Sequence, residues 1–165
     1  KSIPIPITKK FTFDADSNNI DVHYEVSSHS GASGEFTFAV ENNFNFQAGH
    51  AYDRYILVDN QRSDNSWLDA AGTHKHARAI AMVDEYRDLA VAVGSDREAE
   101  IWHLPLFTVS LSEGGFEKVY QGTSFVHVFR VTLSESPVRI GFTIHAGQMA
   151  PVIREAFART SVSAR

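Results

Sequence analysis

Cysteine is absent from this sequence, so the chain can form no disulfide bond, thiol nucleophile or cysteine–metal site. The lack of cysteine fits a reducing compartment. No apolar run approaches the roughly 20 residues of a membrane-spanning helix, and the N-terminus has no basic segment followed by an apolar one. The formal net charge is −5, which disfavours nucleic acid and anionic membranes as partners. We therefore expect a cytoplasmic protein that binds neither.

The chain is long and apolar enough for one folded domain. It has 165 residues, of which 43% are hydrophobic and 21% are charged, values typical of a globular protein with a sizeable core. No internal repeat or low-complexity tract interrupts it. We therefore predict a single domain over residues 1–165.

Alternation of apolar and polar residues is the main structural signal. In "IDVHYEV", Ile20, Val22, Tyr24 and Val26 share one face of a strand, and the acidic residues and His23 face the other way. "EFTFAVENNFNF", "TSFVHVFRVTL" and "VRIGFTI" repeat this pattern and are rich in residues that favour strands. The inward positions predicted from this alternation are Phe36, Phe38, Val40, Phe125, Phe129, Ile140 and Phe142.

Polar turn clusters separate the predicted strands, among them "DADSNN", "GSDRE", "SEGG" and "SESP". Many strands at short spacing predict an all-β fold, an antiparallel two-sheet sandwich. Only the tail "MAPVIREAFAR" has helical spacing, with Val152, Ala156 and Phe157 on one side, so a short C-terminal helix is expected there.

Two carboxylate patterns could suggest glycosidase chemistry, which needs a pair of carboxyl groups facing each other across the bond. Glu98 and Glu100 share a strand face, and Glu113 and Glu117 bracket the glycine pair of "SEGGFEK". Carboxylates at such positions are usually only solvated, and we expect no catalytic pair in this chain.

Two patterns could suggest a metal. His74 and His76 could bind zinc if His50 or Asp53 lay near them, but no longer ligand motif supports this. The weak alternative is a calcium loop with ligands at Asp14, Asp16 and Asn18, which is closed by a glutamate and lacks the glycine of its sharp turn. We expect neither a metal nor a cofactor.

Rings and amides alternate in "NNFNFQAGHAYDRY". Aromatic faces beside amides and carboxylates suit sugars, whose C–H faces pack on rings while their hydroxyls bind polar groups. The alternative is that Phe44 and Phe46 belong to the core, which we favour. The roles of Asn43, Asn45 and Asp53 remain open at this point.

Two blocks resemble a known family. The first is Glu41 to Phe46 followed by "AGHAYDRY", and the second is "PLFTVSLSEGGFEKVYQG", Pro105 to Gly122. Both are similar to the C-terminal β-domain of glycoside hydrolase family 57 enzymes of the α-amylase/4-α-glucanotransferase type. The second block is long and specific, and the resemblance covers roughly Ile5 to His145.

The resemblance implies a galactose-mutarotase-like supersandwich and a parent enzyme that acts on α-1,4-glucan. In that family the glutamate nucleophile and aspartate acid/base lie on an N-terminal (β/α) barrel, which needs about 200 or more further residues. The chain starts at Lys1 rather than methionine, so we expect a C-terminal fragment without catalytic residues. Its expected partners are the barrel of the same polypeptide and an α-glucan.

The hypothesis is therefore an accessory domain that packs on the barrel and helps to shape the glucan site. The alternatives are an autonomous carbohydrate-binding module and, on fold analogy alone, an aldose-epimerase-like enzyme. The candidate residues for barrel or sugar contact are Asn43, Asn45, Asp53, Arg54, Glu113, Phe116, Glu117, Lys118, Tyr120 and Gln121.

Overall fold

The structure is a computed structural model that describes residues 4–28, 33–62, 65–134 and 136–158. It contains nine strands and one helix in these residues. They are β1 Ile7–Phe13, β2 Asn19–Val26, β3 Gly34–Phe44, β4 Arg54–Val58, β5 Gln61–Arg62, β6 Gly72–Asp84, β7 Leu89–Ser112, β8 Gly115–Leu133, β9 Val138–Gln148 and α1 Met149–Phe157. The all-β class and the C-terminal helix predicted from the sequence are confirmed.

The strands form two antiparallel layers that share β7. In the first layer the order is β1-β2-β9-β7-β6-β4-β5, and in the second β3 pairs with β8, which pairs with β7. Ring contacts join the layers: Tyr24 meets Phe38 at 5.4 Å and Phe129 meets Phe142 at 5.8 Å between centroids. The predicted sandwich is therefore present.

The predicted turn at "GSDRE", residues 94–98, is wrong, because these residues lie within β7. The first part of β7 pairs with β9 up to Ser95, and the part from Glu100 pairs with β8. The pairing of β6 with this part of β7 is irregular. Its register shifts twice, between His74 and Ala77 and between Ala77 and Ala79 of β6. Irregular pairing lets a strand bend and pass between layers without a turn.

The predicted inward residues lie between the layers. Val40, Phe125, Phe129, Ile140 and Phe142 are buried. Two other predicted residues, Phe36 and Phe38, are partly buried and pack against the same cluster, as do Phe44 and Phe46.

Helix α1 covers part of the outer face of the first layer. Its buried residues are Val152, Ala156 and Phe157, which pack on outward residues of the middle strands such as Leu57, Ala81 and Ala92. The spacing in the tail therefore predicted the packed side correctly. In the part of the chain that the structure describes, no helix has the length and apolar character needed to cross a membrane.

Candidate functional site

The β7–β8 hairpin extends beyond the paired layers. Residues 106–112 of β7 and 115–122 of β8 pair with each other, whereas β3 pairs with β8 only from Thr123 onward. Ile101 and His103 of β7 are buried on the inward face of the strand. Because side chains alternate along a strand, every second residue after them lies on the same face. The inward face of the hairpin, as we define it, consists of Phe107, Val109, Leu111, Phe116, Lys118 and Tyr120.

The outer half of this inward face is apolar and exposed. Val109 is 67% exposed, Leu111 is 76% exposed and Phe116 is 84% exposed. Leu111 and Phe116 are direct cross-strand partners. Of these three, Phe116 was predicted from the sequence as a contact residue, whereas Val109 and Leu111 were not. The signal for them was present, because the alternation of the core strand continues without interruption from Pro105 to Leu111.

The tip of the hairpin is a two-residue turn. Ser112 pairs with Gly115, so Glu113 and Gly114 connect the strands, and both are exposed. Gly115 has a φ of 111°, a conformation that glycine adopts without the steric cost of a side chain. Gly115 therefore serves the turn.

The base of the inward face is packed rather than free. The Tyr120 hydroxyl lies 2.7 Å from Oγ1 of Thr123, and burial raises the pKa of Tyr120. A Cβ on Gly49 would lie 2.7 Å from the Tyr120 ring, so this glycine permits the close approach. Tyr120 also meets Phe107 edge-on, and Nζ of Lys118 lies 3.8 Å from the centre of the Phe107 ring. Tyr120 thus anchors the hairpin to the core.

Gln121 and Glu117 point differently from the inward face. Gln121 is the extra residue where the β7–β8 register shifts beside Phe107, and its side-chain amide donates to Oγ1 of Thr108 at 3.1 Å. Glu117 pairs with Ser110 on the opposite face of the hairpin and is exposed. These two polar candidates therefore flank the apolar face without being part of it.

The loop of residues 45–53 brings the other candidates to the hairpin base. A Cβ on Gly122 would lie 3.5 Å from Cα of Asn45, so Asn45 adjoins Gly122 at the base of the hairpin. Asn43 and Asn45 are exposed, on the outward side of β3 and just after its end. Gln47 accepts a hydrogen bond from Arg87 at 2.9 Å, which ties the loop to the β6–β7 turn.

Asp53 and Arg54 have structural partners. Nε of Arg54 donates to the buried Asp84 at 3.0 Å, and NH1 donates to Asp53 at 3.1 Å. Asp84 also accepts the backbone N–H of Arg87. This network fixes the start of β4 against the end of β6, and it accounts for both residues without a ligand.

The histidine and carboxylate patterns are dispersed. His76 has a φ of 57° and lies beside Glu98, whereas His74 turns toward His103, with ring nitrogens 3.1 Å apart. Glu100 accepts the indole N–H of Trp102. At the predicted calcium loop, the Asp14 carboxylate accepts the backbone N–H of Asp16. Within the described ranges no group of three or more His, Asp and Glu side chains could hold a metal ion.

The fold defines a galactose-mutarotase-like sandwich. An Escherichia coli K12 protein assigned as an aldose 1-epimerase matches 89% of this chain and 62% of its own length, with a TM-score of 0.63 at 8% identity. A protein with the same assignment from Klebsiella pneumoniae matches 100% of this chain and 53% of its own, with a TM-score of 0.61 at 11% identity. At such low identity the likeness concerns the fold alone.

The family is shown by sequence. The profile described as "Alpha-amylase/4-alpha-glucanotransferase, C-terminal" matches residues 1–142, so the chain belongs to this family. Alpha-amylase 1 of Dictyoglomus thermophilum is 29% identical over 136 residues, which are 77% of this chain and 18% of that protein. A 4-alpha-glucanotransferase structure from Thermococcus litoralis matches 88% of this chain and 19% of its own, with a TM-score of 0.59 at 19% identity. The chain therefore spans about a fifth of the length of each.

Proposed function

We propose that the chain is a non-catalytic accessory domain of a longer cytoplasmic glycoside hydrolase family 57 enzyme, an α-amylase or 4-α-glucanotransferase that acts on α-1,4-glucan. In this proposal the inward face of the hairpin packs on the N-terminal catalytic barrel of the same polypeptide. The observation that carries the proposal is the exposed apolar half of that face, formed by Val109, Leu111 and Phe116.

An exposed apolar face of this kind favours a protein partner. Burying apolar surface contributes about 25 cal/mol per Å², and contiguous exposed apolar patches on folded proteins mark interaction sites. The strands that carry these side chains are anchored, because Tyr120 and Phe107 pack at the base of the hairpin. A backbone that is already ordered loses little conformational entropy on docking.

The length comparison supports a partner within the same polypeptide. The amylase and glucanotransferase relatives are about five times as long as the matched segment. A domain joined to its partner by the chain docks at high effective concentration, so a small apolar face is enough.

The polar residues around the hairpin suit a rim beside a glucan. Glu113, Glu117, Gln121 and Asn45 are exposed at the tip or the base of the hairpin. Interfaces typically have an apolar centre and a polar rim, and carboxylates and amides bind sugar hydroxyls. In this proposal the rim helps to shape the glucan site of the parent enzyme.

The test is the double substitution Leu111→Ser/Phe116→Ser. In the 165-residue chain it should change the free energy of unfolding by under about 0.5 kcal/mol, because both side chains are exposed. In the longer polypeptide it should loosen domain docking, with faster proteolytic release of the domain and lower activity on long maltooligosaccharides. Truncating side chains in a packed interface typically costs roughly 1–3 kcal/mol.

The matched control is Phe13→Ser on the edge strand β1, where Phe13 is 71% exposed. It removes a ring that is also largely exposed and is far along the chain from the hairpin, and it should leave both proteolysis and activity unchanged. The proposal is wrong if the hairpin variant and the control behave alike in the longer polypeptide.

A further inference from the structure

A cleft opens on the outer face of the first layer, separate from the inward face of the hairpin. Its volume is about 560 Å³, which lies within the range of small-molecule sites. The polar side chains that line it include Asp21, Arg78, Asp96, Thr143, His145 and Glu155.

The sequence builds this cleft by alternation and by small residues. On β2 and β9 the outward residues are polar, and Asp21 pairs with Thr143 as Asn19 pairs with His145. The next position across the sheet from Thr143 is Gly94 of β7, which has no side chain to fill the space. Helix α1 covers the apolar half of the outer face and contributes Glu155 to the wall of the cleft.

Hydrogen bonds hold the polar groups in place. The Thr143 hydroxyl donates to Oδ1 of Asp21 at 2.7 Å, and Oδ2 of Asp96 accepts the backbone N–H of Gly141 at 3.0 Å. Nδ1 of His145 lies 2.8 Å from the side-chain oxygen of Asn19. Groups fixed in this way lose little freedom when a ligand binds.

The charges in the cleft select the class of ligand. Four carboxylates line it, those of Asp14, Asp21, Asp96 and Glu155, against one guanidinium, that of Arg78. Repulsion by this excess of negative charge disfavours anions. The carboxylates are spread over the walls, and among the described residues they form no group of three with metal-ligand placement. Such a site suits a neutral ligand with many hydroxyls, which donate to carboxylates and accept from Arg78.

We propose that the outer cleft binds a neutral saccharide of one or two hexose units. The cleft would serve as a saccharide site of the domain itself, away from the hairpin that the proposed function assigns to docking. This inference goes beyond the proposed function and does not depend on it, because the cleft lies within the 165-residue chain.

The test is a titration of the ¹⁵N-labelled 165-residue chain with maltose and, separately, with glucose, calcium chloride and inorganic phosphate. The expected result is saturable shifts of the amide signals of Gly94, Gly141 and Thr143 with a sugar, and none with either ion. Asp21→Asn/Glu155→Gln should weaken sugar binding by roughly tenfold or more, because hydrogen bonds to charged groups are the strong ones.

Two further variants test whether the sugar binds in the cleft. Asp88→Asn/Glu35→Gln makes the same chemical changes at exposed positions outside the cleft, and it should bind sugar like the wild type. Gly94→Ala should weaken binding while the chain stays folded, because a Cβ at Gly94 enters the cleft lining and meets only ordinary contacts at 3.7 and 3.9 Å. The inference is overturned if no sugar shifts these amides, if an ion alone does so, or if the cleft variants bind as tightly as the control.

Discussion

His127 is buried between the two layers, where its ring meets Phe142 edge-on at 5.2 Å between centroids. Among the described residues, no side chain forms a hydrogen bond with its ring nitrogens, which interact only with the backbone of Val93. Burial lowers the pKa of His127 to about 4, and burial together with the neighbouring His74 lowers the pKa of His103 to about 4. The His103 ring fits because it faces Gly72. A Cβ at Gly72 would lie 2.2 Å from the His103 imidazole.

These two histidines should make the fold acid-sensitive. An unfolded histidine has a pKa of about 6.5, so between about pH 4 and 6.5 the unfolded state binds more protons than the folded state. Stability is therefore complete above about pH 6.5 and falls as the pH drops toward 4. His127→Leu should reduce the slope of unfolding free energy against pH by up to about 1.4 kcal/mol per pH unit. Urea denaturation at several pH values measures this, and a variant with the wild-type slope would contradict it.

The ion pair of Arg54 and Asp84 should matter more than a surface pair. The Asp84 side chain is 1% exposed, so removing its cation leaves a buried charge unpaired. We expect Arg54→Met to cost roughly 3 kcal/mol of unfolding free energy. The control is Arg139→Met, whose pair with Glu25 is exposed and should contribute under about 1 kcal/mol. Equal losses in urea denaturation would contradict this assignment.

At the scale of elements, alternation predicted faces well and strand limits poorly. The inward side of β2, β3, β8 and β9 followed directly from the period of two, because one face of each strand is buried. The passage of β7 through "GSDRE" could not be predicted, since local composition favours a turn there. Long-range pairing overrides that preference, with the Gly141 N–H bound to Asp96 and the Ser95 hydroxyl donating to the Arg78 carbonyl.

The same limit explains what was missed at the candidate site. The hairpin residues were predicted from their block of sequence, but the sequence did not show that Tyr120 is packed while Phe116 is exposed. Tyr120 packs because Gly49, which is distant in the chain, permits its close approach. The outer cleft was not predicted, because its walls come from β2, β9 and α1, which only the fold brings together. Sequence periodicity indicates which way a residue faces and not what lies opposite it.

Two residues with the same inward parity should differ in their contribution to stability. Phe125 is fully buried in the middle of β8, whereas Phe36 lies near the start of β3 and is only partly buried. Phe125→Ala should cost roughly 3–5 kcal/mol, because it leaves a cavity that the layers cannot close. Phe36→Ala should cost clearly less, since solvent can reach part of the site. The midpoint of urea denaturation compares the two, and a larger shift for Phe36→Ala would contradict the observed packing.

At the scale of the whole molecule, the domain presents two surfaces with different chemistry. The inward face of the hairpin is apolar at its outer half, and the outer cleft is polar with an excess of carboxylates. They arise from opposite sides of the same layered sheet. This division suits a domain that is attached on one side and accessible on the other.

The four glutamates that the sequence suggested as possible glycosidase pairs each have other surroundings in the structure. Glu98 lies beside His76 and Arg78, Glu100 accepts the Trp102 indole N–H, and Glu113 and Glu117 are exposed on the hairpin. A retaining enzyme needs two carboxyl groups about 5 Å apart across the scissile bond, with one held protonated. We therefore expect the 165-residue chain neither to hydrolyse nor to disproportionate α-1,4-glucan.

The assay is incubation with maltoheptaose and chromatography of the products. The longer polypeptide serves as the positive control, and Glu113→Gln/Glu117→Gln in the isolated chain tests any trace activity. Shorter or longer oligosaccharides from the wild-type chain that disappear in this variant would show that the hairpin carries a catalytic pair, and the assignment of catalysis to a separate barrel would then be wrong.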